Sequence, residues 1–305
     1  NGLMNLKILN FVFIVYAFIH TSNLSAQDNG ISEDLKWRNI GPANMMGRIA
    51  AIDASNTDYR KVLIASASGG VFKSNNGGIT WESIFDNYGA GSIGSVKFDQ
   101  NNLNTIWVGT GESANRNSSA WGDGIYKSVD GGKSFKNMGL KSTHQIAEIE
   151  IHPNNPDIVY AAAVGHLWGY SGERGLFRTE DGGLSWDRVL SGLPNDGKTG
   201  CTEIIFHPEN PDIMFAGFYH RLRQPASFIS GGEQGGLFKS TDGGKSWRKI
   251  SEGLAKGKSG MIDISIHLNN PDIMVMAYEA NENLPEDEPG TCLLYTSPSP
   301  RDLRE

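Results

Sequence analysis

The chain repeats one eight-residue phrase four times, and this repetition limits its possible fold more than any other feature. Each copy reads Ser or Thr, any residue, Asp (Asn in the first copy), Gly, Gly, any residue, Ser or Thr, and an aromatic residue. The copies occupy residues 74–81, 128–135, 179–186 and 240–247. A phrase that returns about every 50–60 residues indicates one supersecondary unit repeated along the chain.

Each repeat also carries three predicted strands before the phrase and one after it. In the third repeat the first three strands are 146–152, 158–163 and 175–179, with the turn Pro-Asn-Asn-Pro-Asp between the first two. Because no segment has an apolar period of 3.6 residues, we predict an all-β fold. Four strands at this repeat length predict a β-propeller of four-stranded blades, incomplete, with about four blades plus the start of a fifth.

The phrase has a structural interpretation. Its Asp or Asn side chain can bond to nearby backbone N–H groups, two glycines permit positive φ at little steric cost, and the final ring can pack over the turn. The polar positions are Asn76, Asp130, Asp181 and Asp242, and the rings are Trp81, Phe135, Trp186 and Trp247. A calcium loop is the alternative, but the carboxylates are too few and the terminal Glu is absent. We therefore predict structural turns that bind no metal.

Three histidines recur at one position of the repeat, where the first strand meets the following turn. They are His152, His207 and His267. A repeated position indicates a structural cap on the turn, whereas a metal site would gather different positions at one point. No cofactor is expected.

The two ends of the chain depart from the repeat. Residues 1–3 look like upstream sequence read in frame, and residues 4–26 have the positive start, apolar run and small-residue exit of a secretory signal peptide. Residues 292–305 look like one reading frame of a sequencing adapter, and a Pro/Ser-rich linker is the alternative. The expected domain is a partial propeller over residues 27–291.

Composition limits the partners. The net charge is −7, and no basic run of the kind that binds nucleic acid is present in the sequence. A signal peptide without a lipobox Cys predicts a secreted, periplasmic or cell-surface protein, with no transmembrane segment after signal removal. Cys201, the one cysteine outside the adapter-like tail, is expected to be a buried thiol.

Candidate ligand-binding residues lie in the loops between second and third strands, which share one face of a propeller. The loops cover residues 112–123, 165–174 and 220–228, and each mixes aromatic residues with Arg, His or Glu. Such a mixture suits a polar ligand with apolar faces. The alternative is that the arginines only tie loops to carbonyls and carboxylates. The candidates are Glu112, Arg116, Trp121, His166, Trp168, Arg174, His220 and Arg221.

The repeated phrase resembles the Asp-box, or BNR repeat. From Trp37 to about Glu279 the pattern is similar to the sortilin/VPS10-like group of WD40/YVTN/BNR-like propellers, including secreted bacterial members often classed as glycosyl hydrolases. Trp37-Arg-Asn-Ile-Gly-Pro42, Gly69-Gly-Val-Phe-Lys-Ser74 and Gly109-Thr-Gly-Glu112 carry the bacterial likeness. The resemblance implies an exported module that binds an extracytoplasmic protein, peptide or glycan without catalysis.

The same resemblance offers enzymatic alternatives. A sialidase-like site needs three arginines, a Tyr/Glu pair and an Asp, but Arg48-Ile49 is followed by Ala50 where such enzymes have Pro. A xyloglucanase-like site needs two carboxylates across a cleft between propellers, and its early signature is replaced by Ser68-Gly-Gly-Val-Phe72. The catalytic residues stay unassigned. The alternative function is a fragment of a xyloglucanase-like glycoside hydrolase whose carboxylates lie partly in missing sequence.

Overall fold

The computed structural model of the chain describes residues 48–170 and 172–281, together with the backbone of residues 291–296. All of these residues belong to one compact unit. The predicted signal peptide and the segment 37–42 lie outside the described residues, and so do residues 297–305 of the adapter-like tail.

The described chain forms five antiparallel sheets in sequence order. The first contains β1 (Ile49–Ala54), β2 (Val62–Ser66), β3 (Gly70–Ser74) and β4 (Glu82–Ser83). The second contains β5 (Ile93–Asp99), β6 (Asn102–Thr110), β7 (Ile125–Ser128) and β8 (Lys136–Asn137). The third contains β9 (Ile146–Ile151), β10 (Val159–Ala163), β11 (Gly175–Thr179) and β12 (Asp187–Val189).

The last two sheets complete the series. The fourth contains β13 (Thr199–Phe206), β14 (Met214–Arg223), β15 (Phe228–Ser230), β16 (Gly236–Ser240) and β17 (Arg248–Ile250). The fifth contains β18 (Lys258–Ile266), β19 (Met274–Asn281) and β20 (Thr291–Thr296). The predicted all-β propeller, with four blades and the start of a fifth, is therefore confirmed. Within the described ranges no helix is long and apolar enough to cross a membrane.

The fourth sheet departs from the sequence prediction at one place. Residues 220–228 were expected to form a loop, but β14 continues to Arg223 and pairs with β15, where Arg221 lies opposite Ser230. The extension is stable because Tyr219 and Leu222 bury their side chains along it. The loop prediction is wrong here, and His220 and Arg221 lie on a strand.

Neighbouring sheets pack face to face around a common axis. The first strands of successive sheets contact each other, and all five contribute residues to one axial pocket. Each pair of sheets encloses its own apolar cluster; between the third and fourth sheets it includes Tyr160, Leu176, Ile204 and Phe218. Burying each such side chain contributes about 1.5–3 kcal/mol. The stability of the fold therefore lies between the sheets.

The repeated phrase forms a tight turn after the third strand of each of the first four sheets; we call these the Gly-Gly turns. In the second, Ser128 Oγ donates to Asp130 Oδ1 at 2.8 Å and accepts from Gly132 N at 2.9 Å. Ser134 donates to the same carboxylate from its backbone N, at 2.9 Å, and from its Oγ, at 2.6 Å. The third and fourth turns repeat these bonds.

The glycines and the acidic side chain of the turns behave as predicted. All eight glycines have φ between +69° and +97°. The hydroxyl and amide donors hold the pKa of Asp130, Asp181 and Asp242 well below the usual range. In the first turn Asn76 replaces Asp, and its Nδ2 donates to Thr80 Oγ1 at 2.8 Å. The phrase thus forms a hydrogen-bonded turn in each of the first four sheets.

The aromatic residues that end the turns have two kinds of partner. Trp81 lies over Gly78 of its own turn, and Trp247 Nε1 donates to Gly244 O at 3.1 Å. Phe135 instead packs edge-on against Phe85 of the preceding sheet. Trp186 also reaches back, because its Nε1 donates to a carbonyl of the second sheet at 2.9 Å. Two of the rings therefore seal neighbouring sheets together.

The last three Gly-Gly turns are also fastened to the sheet before them. In each, the carbonyl of the first glycine accepts a bond from a side chain of the preceding sheet. The bonds are Lys73 Nζ to Gly131 O (2.8 Å), Lys127 Nζ to Gly182 O (3.0 Å) and Tyr160 OH to Gly243 O (3.0 Å). The turn thus fixes both a hairpin and the position of the neighbouring sheet.

The recurrent histidines cap the turns between first and second strands, as predicted. In each case Nδ1 accepts a hydrogen bond from a backbone N–H of the turn. The bonds come from Asn154 N to His152 (3.1 Å), from Asn210 N to His207 (3.2 Å) and from Asn270 N to His267 (3.0 Å). These imidazoles stabilise turns that lie on the same face as the Gly-Gly turns.

Substituting Gly131 with Val should destabilise the fold. The residue has φ +77°, which a β-branched side chain adopts only with strain, so Gly131→Val is expected to lower the free energy of unfolding by about 1–3 kcal/mol. Urea denaturation followed by fluorescence measures this. Lys133→Val, at an exposed position of the same turn without positive φ, is the control; equal stability of the two variants would contradict the account.

Candidate functional site

Three segments meet on the face opposite the Gly-Gly turns, which we call the loop face. They are residues 111–124 between β6 and β7, residues 164–174 between β10 and β11, and the hairpin of β14 and β15. An antiparallel third strand has the second-to-third loop at one end and the Gly-Gly turn at the other. The topology therefore places these segments together, away from the turns.

Arg221 joins three sheets beneath the loop face. Its side chain is fully buried. Nη1 donates to Ser113 O and to Asn115 Oδ1, the latter at 3.0 Å, and Nη2 donates to Gln145 Oε1 and to Gly165 O, the latter at 3.1 Å. One guanidinium thus fixes the loop of the second sheet and the loop-face end of the third sheet, where β9 begins and β10 has just ended.

Arg174 has the same kind of role beside it. The residue is 1% exposed. Nη1 donates to Lys198 O at 3.0 Å, and Nη2 donates to Gly169 O at 3.0 Å. Burial, helped by the charge of Arg221, lowers the pKa of Arg174 to about 10. These contacts match the alternative in which the arginines tie loops to carbonyls.

Glu112 is likewise engaged within the protein. It is 2% exposed, and its carboxylate faces the guanidinium of Arg48 at the start of the first sheet. Arg48 Nε donates to Oε1 at 3.0 Å and Nη2 donates to Oε2 at 2.5 Å. The same loop leaves Arg116 exposed to solvent.

The remaining candidates, Trp121, His166, Trp168 and His220, are partly exposed rings of the loop face, and with His144 and Tyr170 they make up what we call the ring patch. The centroid of the Trp121 ring lies 5.7 Å from that of His144 and 5.0 Å from that of His166. Tyr170 OH and His220 Nε2 are 2.7 Å apart. Trp121 is 60% exposed, Trp168 41% and Tyr170 38%. The patch draws rings from the second, third and fourth sheets.

The sequence analysis did not select three residues that lie in or beside the ring patch: His144, Tyr170 and Lys198. His144 lies between two sheets, outside the long loops, and has φ +61°, a backbone conformation rare for a non-glycine residue. Tyr170 stands in a loop already singled out but was not selected. Lys198 Nζ lies 5.6 Å from the centroid of the Tyr170 ring. The aromatic character of the 165–174 loop could have identified Tyr170, whereas the other two depend on tertiary contacts.

Two imidazoles of the patch, His166 and His220, favour the neutral form because their pKa is lowered. Burial, with smaller contributions from His144 and nearby arginines, lowers the pKa of His166. Burial also lowers the pKa of His220, although Asp196 opposes the effect. Neutral imidazoles next to Trp and Tyr rings present flat, weakly polar surfaces with hydrogen-bonding edges.

A second group of ionisable side chains lies in and around the axial pocket. This pocket has a volume of about 410 Å³ and opens among the turns between first and second strands. Lys97 Nζ lies 3.1 Å from Glu148 Oε1 and 2.8 Å from Glu150 Oε1. The first strands of the other sheets add further carboxylates. Asp53 acts electrostatically on Lys97, and Asp263 acts on Glu203, which lies near Glu148 and Glu150. Lys97 therefore faces the carboxylates of Glu148, Glu150 and Asp53.

The excess of carboxylates over ammonium groups shifts the pKa values of these side chains. Burial, together with the other carboxylates, raises the pKa of Glu150 to about 7 and the pKa of Glu203 well above its usual range. Burial also raises the pKa of Asp53. Burial alone would lower the pKa of Lys97, but the surrounding carboxylates, Glu148 first, raise it well above normal. Burial and the neighbouring carboxylates therefore favour the protonated form of these carboxyls.

One buried cysteine thiol lies in the described part of the chain. Cys201 is fully buried, as predicted, and burial raises the pKa of its thiol well above the usual value. Among the residues that the structure describes, no three His, Cys, Asp or Glu side chains are arranged to hold a metal ion.

Comparison with known proteins finds similarity to parts of much longer proteins. The family model for Sortilin-Vps10, described as sortilin, neurotensin receptor 3, matches residues 123–298. The vacuolar protein sorting/targeting protein 10 of Colletotrichum graminicola is 31% identical over 104 residues, which cover 34% of this chain and 6% of that protein. The oligoxyloglucan-reducing end-specific xyloglucanase of Emericella nidulans is 24% identical over 213 residues, 67% of this chain and 24% of the enzyme.

Solved structures show the same fold. An ancestral GH74 enzyme has a TM-score of 0.61 and 22% identity, with 82% of this chain and 30% of the enzyme covered. The GH74 xyloglucanase from Xanthomonas campestris has a TM-score of 0.58 and 16% identity, with 80% of this chain and 38% of the enzyme covered. The chain spans less than a quarter of the length of the curated relatives it matches.

Replacing Arg174 should affect stability rather than surface chemistry. Arg174→Ala removes a buried donor and leaves the carbonyls of Lys198 and Gly169 without it, so the free energy of unfolding should fall by about 2–3 kcal/mol. His220→Ala, which removes a half-buried ring of the patch, should leave the melting temperature nearly unchanged. Calorimetry of the two variants measures the difference, and an unchanged melting temperature for Arg174→Ala would contradict the assigned role.

The axial pocket should make the protein more stable in mild acid. A carboxyl with a raised folded-state pKa keeps a proton that the unfolded chain has already released. Its stabilising effect is therefore complete below about pH 4.5 and is lost as the pH rises through the folded-state value. The melting temperature should rise by a few degrees between about pH 8 and about pH 5. Below about pH 4 it should fall, because protonation breaks the bonds to Asp130, Asp181 and Asp242.

Glu203→Gln tests how much this group of carboxyls contributes to the pH dependence of the melting temperature. The neutral amide removes one repelling charge, so the variant should melt higher than the parent at about pH 8 and show a smaller rise towards about pH 5. Glu252→Gln, at an exposed position, is the matched control. Parallel profiles for Glu203→Gln and the parent would show that the pocket does not set the pH dependence.

Proposed function

We propose that this chain, which belongs to the Sortilin-Vps10 family, is a propeller module that binds an extracytoplasmic protein, peptide or glycan through the ring patch. One observation carries the proposal: partly exposed rings from three sheets gather on one face, while the charged groups beneath them are buried and paired. A protein surface rarely gathers large rings in contact with solvent unless they contact a partner.

The chemistry of the patch suits a ligand with flat apolar faces and hydrogen-bonding edges. Trp121 and Trp168 offer ring surfaces for stacking, and the pair Tyr170–His220 offers a hydroxyl and an imidazole at hydrogen-bond distance from each other. Sugar rings and peptide side chains both combine these features. Because Arg174 and Arg221 are already bound to carbonyls, they support the patch from below and leave the contact to the rings.

A non-catalytic role fits the position of the carboxylates. Glycoside hydrolysis needs a protonated carboxyl as acid and a second carboxylate facing it across the sugar. The carboxyls whose pKa is raised by burial, Asp53, Glu150 and Glu203, lie on the first strands of their sheets, and Glu112 on the loop face is paired with Arg48. Among the described residues, the carboxyls with a raised pKa therefore lie outside the loops that form this face.

The competing function is a fragment of a xyloglucanase-like glycoside hydrolase. It is supported by the alignment over 67% of this chain with the Emericella nidulans enzyme and by the shared fold of GH74 enzymes. In that case this chain would supply one wall of a cleft, and the second wall with its carboxylate would come from sequence outside the chain.

The location of the protein is part of the same proposal. The apolar run and small-residue exit in residues 4–26 support export, and a mature module starting at residue 27 would work in the periplasm, at the cell surface or outside the cell. We further propose that the native repeat ends at about residue 291 and that residues 292–305 come from an adapter sequence.

Two probes separate binding from hydrolysis: neurotensin, named in the family's description, and a xyloglucan oligosaccharide. Titration followed by tryptophan fluorescence should show binding of one probe, weakened at least about tenfold by Trp121→Ala or Trp168→Ala, since stacking on one ring contributes about 1–2 kcal/mol. Tyr59→Ala, an 82% exposed ring beside the first Gly-Gly turn, is the control.

The possible results of this titration distinguish binding by the ring patch from hydrolysis. Loss of binding in Trp121→Ala and Trp168→Ala but not in Tyr59→Ala supports the ring patch. Equal loss in all three variants, or no binding of either probe, contradicts it. Appearance of new reducing ends in the xyloglucan sample would establish the hydrolase instead.

A further inference from the structure

The first Gly-Gly turn differs from the other three at its acidic position. Asn76 stands where the later copies have Asp, and Gly77 follows it directly. A side-chain amide next to a glycine is open to attack by the following backbone nitrogen, because glycine has no Cβ to hinder the approach. Asn76 and Gly77 are both exposed to solvent. The turn therefore presents a reactive amide at the position where its three relatives carry a carboxylate.

Two donors converge on the side-chain oxygen of Asn76. Ser74 Oγ donates to Oδ1 at 2.9 Å, and Thr80 N donates to the same atom at 2.9 Å. These bonds stabilise the negative charge that forms on Oδ1 when a nucleophile adds to Cγ, as the donors of an oxyanion hole do. The turn thus makes Cγ of Asn76 more electrophilic than it would be in water.

The side-chain nitrogen of Asn76 has a proton source beside it. Nδ2 donates to Thr80 Oγ1 at 2.8 Å. When Cγ becomes tetrahedral, this nitrogen becomes a basic amine, and the hydroxyl of Thr80 can rotate to donate its proton to it. Protonation allows the amine to leave as ammonia, which is general acid catalysis.

The nucleophile of this reaction is the backbone nitrogen of Gly77. Its N–H donates to Arg60 O at 3.0 Å, so one hydrogen bond has to open before the nitrogen can react. Among the described residues, a Cβ added to Gly77 would have only the Tyr59 ring within 4 Å, at 3.9 Å. The nitrogen is therefore held by one bond and is not enclosed by neighbouring side chains.

Positive charge surrounds the same turn. Lys61 Nζ donates to Asn75 Oδ1 at 2.9 Å, next to the reacting residue. The charge of Lys61 also acts on Lys73, which lies in β3, the strand that leads into the turn. Nearby ammonium groups favour loss of the Gly77 amide proton and favour a carboxylate at position 76. The electrostatics of the turn therefore support the exchange of an amide for an acid.

We propose that Asn76 is a site of self-catalysed deamidation, through which the folded first turn gains the aspartate that the other three turns already contain. The proton of Gly77 N passes to hydroxide, the nitrogen bonds to Cγ of Asn76, and Nδ2 leaves as ammonia with a proton from Thr80, which water restores. Water then adds to Cγ of the succinimide, the bond to Gly77 N breaks, and this nitrogen regains a proton. In sum, one water is consumed, one ammonium ion is released and one carboxylate forms.

The turn also determines which product forms. A succinimide opens at Cγ to give aspartate, or at the backbone carbonyl to give isoaspartate, which has an extra methylene in the main chain. Because Ser74 Oγ and Thr80 N donate to the oxygen on Cγ, they direct water to that carbon. The resulting carboxylate then receives the bonds that Asp130 receives from its serine neighbours in the second turn.

The aspartates of the other turns do not undergo the same reaction. An ionised carboxylate offers no leaving group that a backbone nitrogen can displace. The hydroxyl and amide donors hold the pKa of Asp130, Asp181 and Asp242 well below the usual range, so these side chains stay ionised. The modification therefore stops once the first turn carries aspartate.

Peptide mass spectrometry of the aged protein is the first test. The folded protein is kept in mildly alkaline buffer made with water labelled with heavy oxygen, and it is digested at intervals. Asn76 should become an acid that contains one labelled oxygen. Asn75, which is exposed in the same peptide but precedes a residue with a Cβ, is the internal control and should stay intact. Equal change at the two residues, or no change at Asn76, overturns the proposal.

A second test asks whether the folded turn assists the reaction. Ser74→Ala removes one of the two donors to Oδ1 and should slow the change at Asn76 at least about tenfold. Ser128→Ala removes the equivalent hydroxyl from the second turn and should leave the rate at Asn76 unchanged. A faster reaction in Ser74→Ala would show that the turn shields Asn76 from attack and would overturn the proposal.

The product ratio gives a readout that does not depend on the rate. Isoaspartyl methyltransferase labels isoaspartate, so it measures the proportion of the two products. The folded protein should yield mainly aspartate, whereas the same protein unfolded in urea should yield a larger share of isoaspartate. Equal proportions in the two samples would contradict the role given to Ser74 and Thr80.

The product itself can be made by substitution. Asn76→Asp should raise the melting temperature by a few degrees, because the donors of the turn then bind a charged acceptor. Asp130→Asn, the reverse change in the second turn, is the matched control and should lower it. An Asn76→Asp variant that melts below the parent would contradict the preference of the first turn for aspartate.

Discussion

In the last three Gly-Gly turns, the first glycine connects two sheets through its own backbone N–H and carbonyl groups. Its N–H binds a carbonyl of its own sheet, and its carbonyl binds a side chain of the preceding sheet, as Gly182 does between Asp157 and Lys127. Apolar packing between sheets is strong but not directional. The paired hydrogen bonds supply direction, so they set the spacing and angle at which one sheet follows another.

Once the turns hold one face, the opposite face can carry irregular structure. Loops 111–124 and 164–174 contain few backbone ladders of their own and are held instead by the buried guanidinium groups of Arg174 and Arg221. These side chains are costly to bury, and each is compensated by several carbonyl acceptors. The rings above them stay partly exposed because the buried charges, rather than the rings, hold the loops in place.

Much of the fold could be predicted from the sequence because its determinants are local. The glycine pair, the Asp of the turn and the histidine caps each act within about five residues, and their spacing repeats. The site depends on distant contacts: Arg221 meets Ser113 across 108 positions, and Lys97 meets carboxylates of the third sheet. No local pattern marks these partners. The extension of β14 was missed for the same reason, since Tyr219 reaches Asn115 of the second sheet.

The most direct test of the turns' central role is amide hydrogen exchange measured by NMR at Gly132, Gly183 and Gly244. Their N–H groups donate to the Ser or Thr hydroxyl inside each turn. If the turns fix the sheets to one another, these amides should exchange only through the same global opening as the first strands, and with equal protection. Rapid exchange at the three glycines, with the strands still protected, would show that the sheets hold together without them.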